Sequence, residues 1–201
     1  MMDENVPAAI RSHVMRERQP VTFPNGEIRS LPNHPATPLI KAVLEIFALR
    51  YLAQPGAIRV AFPGQSADVR GWVECQTVFG SDLQPDSPNI ILVDLAAGQF
   101  RLVFVETVTN QHQSRGMTEA RRQAITAQTG RLRLNPNNVF FVTAFSDRSA
   151  PAFRKLVSEL AWGTFAWFTS EPEKLLALRQ GKPNSLPYLS IERNDAPQGD
   201  Q

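Results

Sequence analysis

The chain alternates between nearly unbroken apolar runs and segments whose apolar residues recur at helical spacing. Asn89–Leu95 (NIILVDL) and Phe100–Val108 (FRLVFVETV) are rich in β-branched and apolar residues. Ala97-Gly98 lies between them, which predicts an antiparallel hairpin. Their continuous apolar character suits strands near the centre of a sheet covered on both faces. Ile58–Phe62, Val139–Ala144 (VFFVTA) and Trp162–Phe168 predict further strands, and VTFPNGEIRSLPNHP reads as a short hairpin around Pro24-Asn25-Gly26. Helical spacing appears in three places. Leu39, Val43, Phe47 and Arg50-Tyr51 predict a helix with Thr37 as N-cap and Pro38 at its first position, ended by Pro55-Gly56. Thr118–Thr129 predicts a polar helix. Phe153, Leu156, Val157 and Leu160 fall at i, i+3, i+4 and i+7, an amphipathic helix capped near Ser149 with Pro151 in its first turn. Val69–Phe79 fits either a strand or a short helix. Strands alternating with helices predict a three-layer α/β or α+β domain around a mixed sheet.

Composition narrows the class. At 201 residues, 42% hydrophobic and 20% charged, the chain suits one globular domain with a short appendage. Residues 1–20 are expected to form a mobile arm, 21–180 the domain, and 181–201 a polar, proline-rich tail. The single cysteine, Cys75, excludes an internal disulfide and any multi-cysteine metal site. No apolar run approaches the roughly 18 residues of a membrane span, and residues 1–20 lack the apolar stretch of a signal peptide, so a cytoplasmic location is expected. The net charge of +2 is uninformative. Its distribution is not. Arg115, Arg121, Arg122, Arg131 and Arg133 are opposed only by Glu119, an excess that suits DNA phosphates or, equally, a solvated helix face.

Two acids stand among apolar neighbours: Asp94 near the end of the first hairpin strand, and Glu106 inside VFVETV. A carboxylate within a buried strand must be paired, hydrogen-bonded or bound to a cation. Acids on adjacent strands can hold Mg²⁺, which prefers oxygen ligands. The alternative places Glu106 at a solvated sheet edge and makes Asp94 a turn acid. His13, His34 and His112 share no zinc-ligand spacing, and no GxSxG, P-loop or GxGxxG occurs. Trp162, Phe165, Trp167 and Phe168 fit core packing better than a base-stacking platform.

A resemblance sharpens this reading. PNIILVD, LVFVETVT, the helix bearing Arg121-Arg122, VFFVTAFSDRSAPAFRK and LAWGTFAWFTSEPEKL together resemble the catalytic domain of BsuBI/PstI-type restriction endonucleases, a branch of the PD-(D/E)XK nucleases. With LIKAVLEIFALRYLAQPGAIRVAFPG upstream, the similarity spans roughly residues 22–180. It implies a PD-(D/E)XK core and a Mg²⁺-dependent, type II endonuclease acting on double-stranded DNA, with a homodimer matching a palindromic site. Glu106, with Asn89 or Asp94, would hold the metal, and Arg121 or Arg122 would neutralise charge developing on the phosphate. Asp94 requires a bend or bulge to reach Glu106, because it lies five residues beyond Asn89. The chain departs from the family in carrying Pro88-Asn89 for Pro-Asp and Gly64-Gln65 for Gly-Asp; a Glu-His pair becomes Pro35-Ala36. Val108 stands where the wider superfamily has its lysine. These departures open a second reading, a catalytically silent relative that binds DNA or assists another defence protein.

Overall fold

A computed structural model describes residues 18–52, 55–61, 88–96, 100–110, 115–130 and 135–179. Six strands form one mixed sheet: β3 (Ile58–Ala61), β4 (Ile90–Asp94), β5 (Arg101–Thr107), β6 (Val139–Phe145), β7 (Thr164–Phe168) and β8 (Leu175–Leu178), hydrogen-bonded in that order. β3–β4, β4–β5 and β7–β8 are antiparallel pairs, whereas β5–β6 and β6–β7 are parallel pairs. The expected hairpin of β4 and β5 is present, with Ile90 opposite Val105 and Asp94 opposite Arg101. A parallel pair needs a crossover. Helix α3 (Glu119–Gly130) lies between β5 and β6, and α4 (Pro151–Leu156) between β6 and β7.

The mixed α+β architecture expected from the sequence is thus observed. One sheet face, bearing Ile90, Leu92, Val103, Val105, Val142, Ala144 and Trp167, packs against a helical rod made of α1 (Thr37–Ala42), a π turn (Val43–Phe47) and α2 (Ala48–Tyr51). A two-stranded hairpin, β1 (Arg18–Thr22) with β2 (Ile28–Pro32), docks on the same rod through Val21, Phe23 and Leu31. Glu45 accepts the Thr22 amide at 2.8 Å and Lys41 donates to the Pro20 carbonyl at 2.9 Å. Trp167 is wholly buried at the centre of this layer. Truncating it to alanine would cost about 3–5 kcal/mol.

Several local expectations change. β1 starts at Arg18, inside the stretch expected to be a mobile arm. Helix α1 begins at Thr37, whose hydroxyl donates to the Pro32 carbonyl at 2.7 Å rather than capping the helix. The helix expected over Phe153–Leu160 stops at Leu156, and the Asn110 side chain, from the loop after β5, accepts the Ala152 amide at its start. Trp162 is 57% exposed, so it does not belong to the aromatic core with Trp167 and Phe168. Val69–Phe79, Cys75, His13, His112, the Ala97-Gly98 turn and the tail from Gly181 fall outside the described residues. Among the described residues, no helix is long and apolar enough to cross a membrane.

Candidate active site

The second sheet face carries two apolar clusters rather than one. Ile91, Val93, Leu102, Phe104, Met117, Ile125 and Phe141 form the first, under α3. Val108, Phe145, Leu156, Leu160, Ala166 and Phe168 form the second, under α4. A polar lane separates them. Successive side chains of a strand point to opposite faces, so Glu106 shares its face with Phe104 and Val108. Thr143, its register partner on β6, shares its face with Phe141 and Phe145. On the other side of Glu106 stands Asn89, one residue before the Ile90–Val105 pair.

Glu106 is 3% exposed and Thr143 fully buried. The Glu106 carboxylate is held at Oε2 by the backbone N–H of Asn89, 3.3 Å away, and by the Arg121 guanidinium, 3.0 Å away. Asn89 reciprocates. Its Oδ1 accepts the Thr107 amide at 2.7 Å and the Thr107 hydroxyl at 2.9 Å. The side chain of Asn89 thereby supplies a backbone donor with its acceptor where the β4–β5 ladder ends. The fixed distances make Glu106 a pre-positioned acid rather than a mobile surface group.

Arg121 reaches Glu106 because the start of α3 is pinned. The Met117 amide donates to Thr143 Oγ1 at 3.0 Å, and the Met117 carbonyl accepts the Ala161 amide at 2.9 Å. Gly116 makes this approach possible. Its φ is +63°, and a Cβ there would sit 2.9 Å from Leu160 Cδ2 and 3.3 Å from Thr143 Cγ2. Thr118 Oγ1 then accepts the Arg121 amide at 3.4 Å, an N-cap contact. One position on, Arg122 turns away. It pairs with Glu119 at 2.6 Å, which holds the Glu119 carboxyl below its ordinary pKa, and it lines a cleft of about 230 Å³ with Thr126, Thr129 and Phe141.

The candidates named from sequence therefore separate. Glu106, Asn89 and Arg121 converge. Asp94 does not: it lies at the far end of β4, shares its face with Ile90 and Leu92, and accepts the Ala96 amide at 3.0 Å. No bulge interrupts the β4–β5 register, so nothing brings Asp94 round to Glu106. Arg115 is exposed immediately before Gly116, while Arg131, Arg133 and Gln65 lie outside the described residues. Val108 is buried in the α4 cluster, and Arg121 brings a cation to Glu106 from the helix. Thr107, Thr143 and Gly116 were missed, because their roles depend on cross-strand neighbours that spacing does not reveal.

The donor set decides what the site can hold. Among the described residues no group of three His, Cys, Asp or Glu side chains converges on a metal position. Asn89 Oδ1 is committed to Thr107. Glu106 alone suits the mode in which Mg²⁺ takes one carboxylate and completes its shell with water and substrate phosphate. A metal there would need its remaining ligands from outside these side chains.

Comparison with known proteins bears on the family and the fold. Residues 19–181 match the family described as the BsuBI/PstI restriction endonuclease domain. The fold matches the structure of SdaI restriction endonuclease with a TM-score of 0.61 and 23% sequence identity, over 92% of this chain and 56% of that one. The chain thus spans little more than half the length of that protein. No curated protein matches this sequence.

Proposed function

This chain belongs to the BsuBI/PstI restriction endonuclease family, and from that premise we propose that it is a nuclease domain hydrolysing phosphodiester bonds of double-stranded DNA at Glu106. The observation that carries the reading is the convergence of a buried acid and a helix-borne cation in a polar lane of a largely apolar sheet face. Glu106 would hold Mg²⁺ together with a DNA phosphate. When bound, the metal polarises the scissile phosphate and activates a water. Asn89 and Thr107 keep Glu106 in place, and Arg121 offsets the negative charge that builds on the phosphate in the transition state. Arg115, exposed on the approach to α3, supplies a phosphate contact. A homodimer suits a palindromic site, because two-fold DNA is matched by a two-fold protein. The cytoplasm is the compartment in which such DNA is met.

The second reading, a silent DNA-binding relative, is favoured by one observation: the amide of Asn89 stands where the family has an acid, and its oxygen is engaged with Thr107. Incubation with mixed-sequence plasmid DNA, with and without Mg²⁺, separates the two. Cleavage that needs Mg²⁺ and is lost in Glu106→Gln supports the nuclease. Binding without cleavage, with cleavage appearing in Asn89→Asp, supports the silent relative, because an aspartate keeps one oxygen on Thr107 and offers the second to the metal.

A further inference from the structure

We infer that Arg121 couples metal loading at Glu106 to the arrival of duplex DNA: in the free protein the guanidinium occupies the carboxylate, and a DNA phosphate draws it away. The inference rests on the reading of Glu106 as the acid of a nuclease site. Its structural basis is competition for one group. Arg121 sits 3.0 Å from Glu106 Oε2, the same oxygen that accepts the backbone N–H of Asn89. A dication approaching that carboxylate meets a guanidinium already in contact with it, and like charges at that range repel. Mg²⁺ also gives up its water reluctantly, so a single carboxylate already neutralised by arginine is a poor site.

DNA changes the balance in both directions. The Arg121 side chain is 17% exposed against 3% for Glu106, so the guanidinium lies towards the solvent side of the pair. The exposed Arg115 lies six positions before Arg121, across the pinned turn at Gly116. A backbone phosphate arriving there offers the guanidinium a two-oxygen partner matched to its fork. The same phosphate brings the oxygen ligands that Glu106 lacks. Because the pinned turn holds the start of α3, only the side chain need move. Arg121 is therefore a positioning residue for the metal as well as a phosphate contact. Coupling of this kind is reciprocal: DNA tightens the metal by the factor by which the metal tightens DNA. A nuclease built this way carries little metal until it is on its substrate.

The test is Mn²⁺ binding, read by electron paramagnetic resonance, on the whole chain with and without a mixed-sequence duplex; Glu106→Gln with the same duplex serves as the blank. Arg121→Gln is expected to bind Mn²⁺ about tenfold more tightly than the parent without DNA. Duplex should tighten the parent about tenfold and Arg121→Gln by less than about threefold, within the usual size of such couplings. Arg121→Lys, which keeps the charge without the fork, should fall between the two. A gain in affinity is not what a merely structural arginine would show on removal. Should Arg121→Gln prove too unstable to titrate, Arg121→Lys decides: tighter Mn²⁺ binding than the parent without DNA supports the coupling, and unchanged binding overturns it. Variants that bind Mn²⁺ no more tightly than the parent overturn it, as does duplex acting equally on parent and Arg121→Gln. Cleavage that survives Glu106→Gln defeats the nuclease reading instead. A parent that cleaves, yet binds Mn²⁺ independently of Arg121, defeats the coupling alone.

Discussion

The Glu106–Arg121 pair should be measurable as a coupling free energy, and the unequal burial of its members predicts an unequal cost of losing each. Arg121→Gln leaves a carboxylate at 3% exposure without its guanidinium, and breaking a buried pair from one side costs about 3–5 kcal/mol. Glu106→Gln leaves a guanidinium at 17% exposure, which water reaches. Its cost is that of one hydrogen bond to a charged group, about 1.5–3 kcal/mol. With both residues changed, neither charge remains and two amides face each other, so the double variant should fall short of the sum by about 2 kcal/mol, within the range for residues in contact. In a domain of this size 1 kcal/mol moves the melting midpoint by about 2–4 °C, so Arg121→Gln should lower Tm by roughly 10 °C. Urea unfolding followed by circular dichroism at pH 7 without metal gives all four corners of the cycle. Losses additive to within about 0.5 kcal/mol would show that the two side chains do not interact. A larger loss for Glu106→Gln than for Arg121→Gln would refute the assignment of relative burial.

Gly116→Ala should destabilise by about 1–3 kcal/mol, because φ is +63° and the new methyl meets Leu160 and Thr143; equilibrium unfolding with no loss would mean that the turn is not held as described. Arg115→Ala should reduce the salt slope of log K for duplex DNA by about 0.9 without altering Tm; an unchanged slope would remove Arg115 from the DNA contact. Asp147 is held low, to about 2 from 3.8, by hydrogen bonds from the side chains of Ser149 and Ser170 and from the Ser149 backbone. A depressed folded pKa means that this stabilisation is present above 3.8 and is lost as pH falls through about 2. Asp147→Asn should therefore be less stable than the parent at neutral pH and converge with it across that window, as read from urea midpoints. A constant difference across it would exclude this source.

By itself, the sequence determined the strands and the acid. NIILVDL and FRLVFVETV read as buried strands because their apolar residues exceed what one sheet face can hold, and Glu106 was conspicuous because no charge is comfortable in such a run. The order of pieces was enough to recognise the family. Strand β8 was not legible, because Leu175–Leu178 is short and only half-buried. The choice among candidate partners was not legible either. Asp94 and Asn89 look alike as polar ends of one strand, and Arg121 and Arg122 are adjacent in sequence. The five-residue spacing already turns Asp94 away from Asn89 in a regular strand, but only the β4–β5 register sets Asn89 beside Glu106 and shows that no bulge intervenes. Only the docking of α3, through Gly116, Met117 and Thr143, decides which arginine reaches the carboxylate. A period of two or of 3.6 residues tells which side chains share a face, and an acid in a buried strand announces that it needs a partner. Which partner it finds depends on distances between elements far apart in the chain, and those exist only once the sheet is assembled and the helix is seated on it.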